Sequence, residues 1–192
     1  MAGVLAFDEL NRLERIKKHA DLVPDFYELY QLGKDIGKRY AGDHDSIIDF
    51  VSSFLIAAYR RGVEAAGEML ATKTSPRITE MNASIYMTID GKTFEDRIRD
   101  GSDPGVLLET ESHRVFNEGI LDGARQTDDP GVLKTWVTMR DDRVRETHEY
   151  IDSVTIPLGE RFTTIDGDSA LAPGGFSRAE NNVNCRCWID LS

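Results

Sequence analysis

Apolar positions fall at the helical repeat through most of the first 125 residues and give way to short extended runs after about residue 130. Leu10, Leu13, Lys17 and Ala20 mark a short amphipathic piece. Pro24 can open a second helix, with Asp25 and Glu28 in its first turn and Lys34, Lys38 and Arg39 in its last, and Gly42 is placed to end it. That order of charge complements the helix dipole. Gly33 and Gly37 either weaken this helix by roughly 1 kcal/mol each or mark a face where another backbone comes close. The most regular element follows. Ser46-x-x-Asp49 offers a capping-box-like start, and Ile47, Val51, Phe54, Leu55, Ala58, Gly62, Ala66 and Met69 keep the repeat over residues 46–71. Thr72 to Pro76 breaks it. A boundary there divides a helical region, residues 1–75, from a second region, residues 76–192.

Met81 to Ile89 reads as a helix end or a short strand, and Asp90-Gly91 as a turn. Phe94-x-x-x-Ile98 makes one or two helical turns, stopped by Gly101. Asp103 can cap and Pro104 can open a further helix to about Gln126, with Leu108, Val115, Ile120 and Ala124 on its buried side. Beyond it, Trp136 to Met139 reads as a strand, and Asp141 as the cap of a helix reaching Tyr150. Val154 to Ile156 and Arg161 to Ile165 read as two strands separated by a Pro-Leu-Gly-Glu turn. Residues 166–184 read as a long surface loop, and Cys185 to Asp190 as a final strand. The fold class this predicts is α+β: a helical N-terminal part, then a small mixed domain with a few-stranded antiparallel sheet packed on helices.

Composition narrows the function. A chain of 192 residues, 40% hydrophobic and 30% charged, is long enough to bury a core and reads as globular. A formal net charge of -11 argues against a protein that coats nucleic acid, since Asp141, Asp142, Glu146 and Glu149 surround the arginines at 140, 143 and 145. No apolar run approaches the roughly 18 residues of a membrane span, and the N-terminus lacks the basic start and apolar core of a secretory signal. The two cysteines, Cys185 and Cys187, make no disulfide framework, and a bond between them would strain the chain; reduced thiols in a cytoplasmic compartment are expected.

The candidate chemistry is concentrated in one polar run, Trp136-x-Thr138-x-x-Asp141-x-Arg143-x-Arg145-x-x-His148, and in Asn184-Cys185-Arg186-Cys187 far downstream. On a helix, Asp141 and His148 would share a stripe, and on a strand Cys185 and Cys187 would share a face. Two thiolates, an imidazole and a carboxylate form a reasonable tetrahedral zinc set: His148, Cys185, Cys187 and Asp141. Each residue also has a plain structural reading. Asp141 can be an N-cap paired with Arg145, His148 a hydrogen-bonded histidine, and the cysteines small buried hydrophobes. Nucleophilic catalysis would rest on Cys185, with His148 as base. Ser153 and Ser177 sit in no nucleophile-elbow motif, and His19, His44 and His113 read as surface or core residues.

Trp136, Asp141, Arg143, Arg145, His148, Phe162, Pro173-Gly174 and Asn184-Cys185-Arg186-Cys187, with Thr110-Glu111 upstream, resemble the phage Mu F-like domain of minor head, or head morphogenesis, proteins of tailed bacteriophages. The resemblance covers about residues 104–189. It departs from the family pattern at Ser153, where relatives often carry Gly, and after Pro173-Gly174, where Gly-Phe stands instead of a second proline. The resemblance implies a non-enzymatic virion component, made in the host cytoplasm and placed at the portal vertex or inside the head, with the portal protein or major capsid protein as partner and oligomers in the virion. The acidic charge favours no direct nucleic-acid binding, and the lack of a long apolar run favours no membrane association. Glu111, Trp136, Asp141, Arg143, Arg145, His148 and Asn184 would then form a structural knot, with the cysteine pair fastening the last strand, with or without zinc. The competing expectation is a metal- or cysteine-dependent enzyme or toxin-like effector, because some such domains are fused to toxins.

Overall fold

A computed structural model describes residues 26–192; the amphipathic piece read at Leu10 to Ala20 lies outside the described residues. The first described helix, α1 (Phe26–Arg39), carries Glu28 in its first turn and Lys38 and Arg39 in its last, and Gly42 follows it with a left-handed φ of 84°. Helix α2 (His44–Met69) is capped by Asp43, whose side chain accepts from the Ser46 amide at 3.1 Å. The expected cap at Ser46 therefore sits inside the first turn, because Asp43 outcompetes it with a charged acceptor.

Helix α3 (Ile78–Ile85) resolves the ambiguous segment in favour of a helix, and the Asp90-Gly91 turn then closes a single antiparallel bridge between Ile89 and Lys92. Helix α4 (Phe94–Arg99) starts with a reciprocal capping box between Thr93 and Asp96. Helix α5 (Pro104–Arg125) is capped by Asp103, with Pro104 at its first position as the sequence predicts.

Helices α2 and α5 run against each other at backbone contact. A Cβ on Gly62 would lie 2.0 Å from the Phe116 carbonyl oxygen, and one on Gly119 would lie 2.3 Å from that of Tyr59. The same device seats α1: a Cβ on Gly33 would lie 2.5 Å from the Pro104 carbonyl oxygen. Gly33 thus marks a close approach. Around these contacts Leu29, Ile36, Val51, Leu55, Phe94, Ile98, Leu108 and Val115 form one apolar cluster.

The chain then builds a three-stranded antiparallel sheet of order β2-β1-β5, from β1 (Leu133–Val137), β2 (Thr155–Pro157) and β5 (Trp188–Leu191). Its register pairs Trp136 with Ile189, Val137 with Trp188 and Thr135 with Thr155. Strands β3 (Phe162–Thr163) and β4 (Ser169–Ala170) form a separate two-stranded ribbon. The two strands expected around the Pro-Leu-Gly-Glu turn therefore lie in different sheets. A second cluster, including Trp136, Phe162, Phe176, Ile189, Phe116 and Ile120, fills the space between sheet and α5. The fold is α+β.

Three segments depart from the sequence reading. The helix expected from Asp141 to Tyr150 shrinks to α6 (Glu146–Glu149), because residues 141–145 turn instead. The final strand begins at Trp188, so the cysteines lie in the approach to it. Residues 166–184 are not a loose surface loop. They contain β4 and α7 (Ala179–Asn182) and bury Ala170, Ala172, Phe176, Asn181 and Asn182. Their backbone is satisfied by side chains. Asn182 accepts from the Phe176 amide at 3.0 Å and donates to its carbonyl at 2.7 Å, and Asp168 accepts from the Ser177 and Arg178 amides at 3.2 and 3.1 Å.

Candidate functional site: the polar centre at His148 and the Cys-x-Cys segment

Strand β1 delivers Trp136 to the middle of the second cluster, fully buried. Its indole meets His148 edge-on at 5.5 Å, Phe162 at 5.2 Å and Phe176 at 5.5 Å between ring centroids. His148, on α6, also stacks on Phe176 at 5.4 Å and 25°. These rings fix the imidazole plane so that Nδ1 points at both sulfurs: 3.6 Å to Cys185 Sγ and 3.4 Å to Cys187 Sγ. All three residues are buried, and both thiols are free. Among the described residues, His148, Cys185 and Cys187 put three potential metal ligand atoms within 4.8 Å of one another. A hydrogen bond from Cys187 holds the Cys185 thiol well below its ordinary range, with His113 and His148 adding to it against the effect of burial. The same bond, burial and the charge on Cys185 push Cys187 well above that range.

Outside this sulfur–imidazole group lies an ionic layer. Asp141 does not cap a helix or pair with Arg145. Its carboxylate takes a bidentate pair of hydrogen bonds from Arg186 at 2.7 and 2.5 Å, and accepts from the Arg143 amide at 3.1 Å. The Arg186 bonds draw the Asp141 pKa down and the Arg186 pKa up. This engagement places Asp141 outside the three-residue ligand group. The Arg143 side chain is exposed and reaches Asp141 only at 3.8 Å. Arg145 donates to the Val183 carbonyl, tying α6 to the turn before the cysteines. Asn184 contributes backbone shape: it holds a left-handed φ of 56°, and its amide donates to Thr110 Oγ1 at 3.4 Å. Asn is among the few residues that tolerate this conformation, which accounts for the residue type there.

Glu111 sits elsewhere. It is fully buried on α5 and pairs with Arg114 Nε at 2.8 Å and with Arg97 of α4 at 2.9 Å, so it ties helix to helix rather than joining the cysteine segment. Arg114 in turn underlies the Pro173-Gly174 turn, where a Cβ on Gly174 would lie 2.7 Å from the Arg114 Cβ.

Residues that the sequence left unmarked complete the centre. His113 Nε2 hydrogen-bonds the Cys187 carbonyl, to which Asn117 Nδ2 also donates at 3.4 Å. Asn117 Oδ1 accepts from the Ile189 amide at 3.1 Å. Asp152 receives the Thr138 amide and hydroxyl, each at 2.9 Å, and Arg140 Nε. His113 and Asn117 are one helical turn apart, a spacing visible in the sequence but masked by Arg114, Val115 and Phe116 between them. Ser153 holds φ 64°, a left-handed conformation that a glycine would meet without strain.

A family model described as Phage Mu protein F like protein matches residues 72–189. The chain is similar to minor head protein GP7 of Bacillus phage SPP1, 35% identical over 85 residues, which is 44% of this chain and 28% of that protein. It is also similar to NAD(+)--arginine ADP-ribosyltransferase EFV of Enterococcus faecalis (strain ATCC 700802 / V583), 32% identical over 83 residues, which is 42% of this chain and 17% of that protein. The chain thus spans less than a third of the length of either relative. No solved structure matches.

Proposed function

Because the chain belongs to the Phage Mu protein F like family, we propose that it is a minor head protein of a tailed phage, a structural component that joins the portal vertex or the inner capsid during head assembly. The observation that carries this reading is the family match over residues 72–189, which takes in α5, β1, α6 and the whole Cys-x-Cys segment. The similarity to a protein called a minor head protein supports it. The polar centre acts in this reading as a clasp, since Asp141, Arg186, Arg145, His113 and Asn117 spend their polar groups on one another or on the backbone. The net charge of -11 fits a protein that shares a head with DNA without sticking to it.

Co-expression with the portal and major capsid proteins of the same phage, followed by size exclusion, tests the proposal. Co-elution with one of them is expected, together with no DNA retention at low salt. Consistent failure to associate with either would overturn it. The catalytic reading through His148 and Cys185 has less behind it. Both are buried, and the shallow opening over the centre reaches His148 and Cys187 rather than Cys185. The transferase similarity covers 17% of that protein, too little to bring its activity here.

A further inference from the structure

We propose that His148, Cys185 and Cys187 bind one zinc ion through Nδ1 and the two Sγ atoms, with a water molecule in the fourth position. The inference is independent of the head-protein reading. Zinc sits about 2.3 Å from thiolate sulfur and about 2.0 Å from imidazole nitrogen, so tetrahedral angles put nitrogen and sulfur about 3.5 Å apart. The two observed separations are 3.6 and 3.4 Å, and the three ligand atoms all lie within 4.8 Å of one another. A simple hydrogen bond explains one of these distances but not both, because Nδ1 offers one lone pair or one proton in the ring plane. Two sulfurs converging on it at nearly equal range describe a ligand set around a common point.

Charge and softness agree. Two thiolates neutralise a divalent ion, so the buried site needs no further counter-ion, and the neighbouring Arg186 is already engaged by Asp141. Sulfur and imidazole donors select zinc over magnesium or calcium. The imidazole is held in place by Trp136 and Phe176 before any ion arrives. The fourth direction opens outward. His148 and Cys187 line a shallow opening with Val144, Arg145, Asn184 and Arg186 that has room for about one water. The ion would join α6 to the approach of β5 across 37 residues of chain, between His148 and Cys185.

Metal analysis of protein purified without chelator, under reducing conditions, should give about one zinc per chain. Cobalt added to the metal-stripped protein should give sulfur-to-cobalt charge transfer and intense tetrahedral bands. Cys185→Ser, Cys187→Ser and His148→Ala should each abolish stoichiometric binding, while His44→Ala should keep it. If the variants fail to fold, the wild-type cobalt spectrum decides alone. A folded wild-type chain that gives only the octahedral aquo-cobalt spectrum, or a cobalt spectrum retained in a folded Cys187→Ser variant, overturns the proposal.

Discussion

Lys134 is a lysine in an interior position, and its energetics can be read out by pH. It lies on β1, 0% exposed, with Nζ donating to the Leu171 carbonyl at 2.7 Å and standing 5.2 Å from the Phe162 ring centroid. Burial pushes its pKa down from 10.5 to about 8, with the nearby Arg125 charge adding to the effect. The folded chain therefore releases this proton more readily than the unfolded chain. Below pH 8 the ammonium is present in both states and its full burial cost is carried by the fold. Between pH 8 and 10.5 the unfolded state holds more protons, so the stability of the wild type rises with pH. A shift of this size corresponds to about 3 kcal/mol. Lys134→Met removes the titration but orphans the Leu171 carbonyl, at a cost of about 1–3 kcal/mol, so the two proteins should be similar in stability at pH 7. Equilibrium urea unfolding of both at pH 7, 8, 9 and 10 isolates the effect, because other titrating groups cancel in the difference. The wild type should gain on the variant by about 2–3 kcal/mol as pH rises. A flat difference, or one that falls with pH, would refute the reasoning.

Other positions give equally direct outcomes. Gly62→Ala places a Cβ 2.0 Å from the Phe116 carbonyl oxygen and should cost at least about 3 kcal/mol by forcing α2 from α5; Gly159→Ala, which meets nothing within 4 Å, should be silent in the same thermal melt. Burial pushes the Asp168 carboxyl up, but hydrogen bonds from Asn181, Ser177 and the Arg178 amide outweigh it and hold the pKa at about 2. Its folded pKa is depressed, so its stabilisation is present above pH 3.8 and lost as pH falls toward 2. Asp168→Asn should therefore cost about 2 kcal/mol at pH 7 and almost nothing near pH 2. Asn117→Ala leaves the Ile189 amide without its acceptor and should cost about 2–3 kcal/mol, with faster amide exchange at β5 as the local signature. Ser153→Gly relieves a left-handed φ of 64° and should raise stability by up to about 1 kcal/mol in chemical unfolding, less the lost hydrogen bond from Arg140.

The elements legible in the sequence are those whose determinants are local. Asp103-Pro104 starts α5, Asp90-Gly91 makes a turn and Gly101 ends α4, because each acts within a few residues. Asp141 misled for the converse reason. An acidic residue before a polar run looks like a cap, but its partner Arg186 stands 45 residues away, and a bidentate guanidinium outweighs a first-turn amide. The segment 166–184 looked like solvent-exposed loop because it is rich in Gly, Ser and Asn. In the fold Asp168, Asn181 and Asn182 act as substitutes for backbone partners, so polar side chains there go inward. The Asn181-Asn182 doublet was the available signal. The sulfur–imidazole group was legible as residue types, while the contact depended on the turn at residues 141–145 that the helical reading excluded.

Helix α5 explains why the other half of the centre escaped pattern reading. It is buried on every side from Thr110 to Asn117, so no polar stripe separates from an apolar one. Five of those positions are polar or charged besides the threonine, and they face different neighbours. Glu111 engages Arg97 of α4 and Arg114 of its own helix, while His113 and Asn117 engage the Cys187 carbonyl and the Ile189 amide. Buried ionic and amide groups contribute less net stability than apolar ones of similar volume, yet leaving one unpaired is costly. Their effect here is therefore on register. A β5 shifted by one residue would carry the Ile189 amide away from Asn117 and the Cys187 carbonyl away from His113, and would turn both sulfurs off His148. An apolar α5 could bury the same area against several arrangements of sheet and loop, whereas this one is satisfied by the observed arrangement. The Asn117→Ala signature at β5 tests this directly: a uniform loss of protection across the chain would mean that the residue supplies stability alone, and a loss confined to β5 and the cysteine segment would mean that it sets the register.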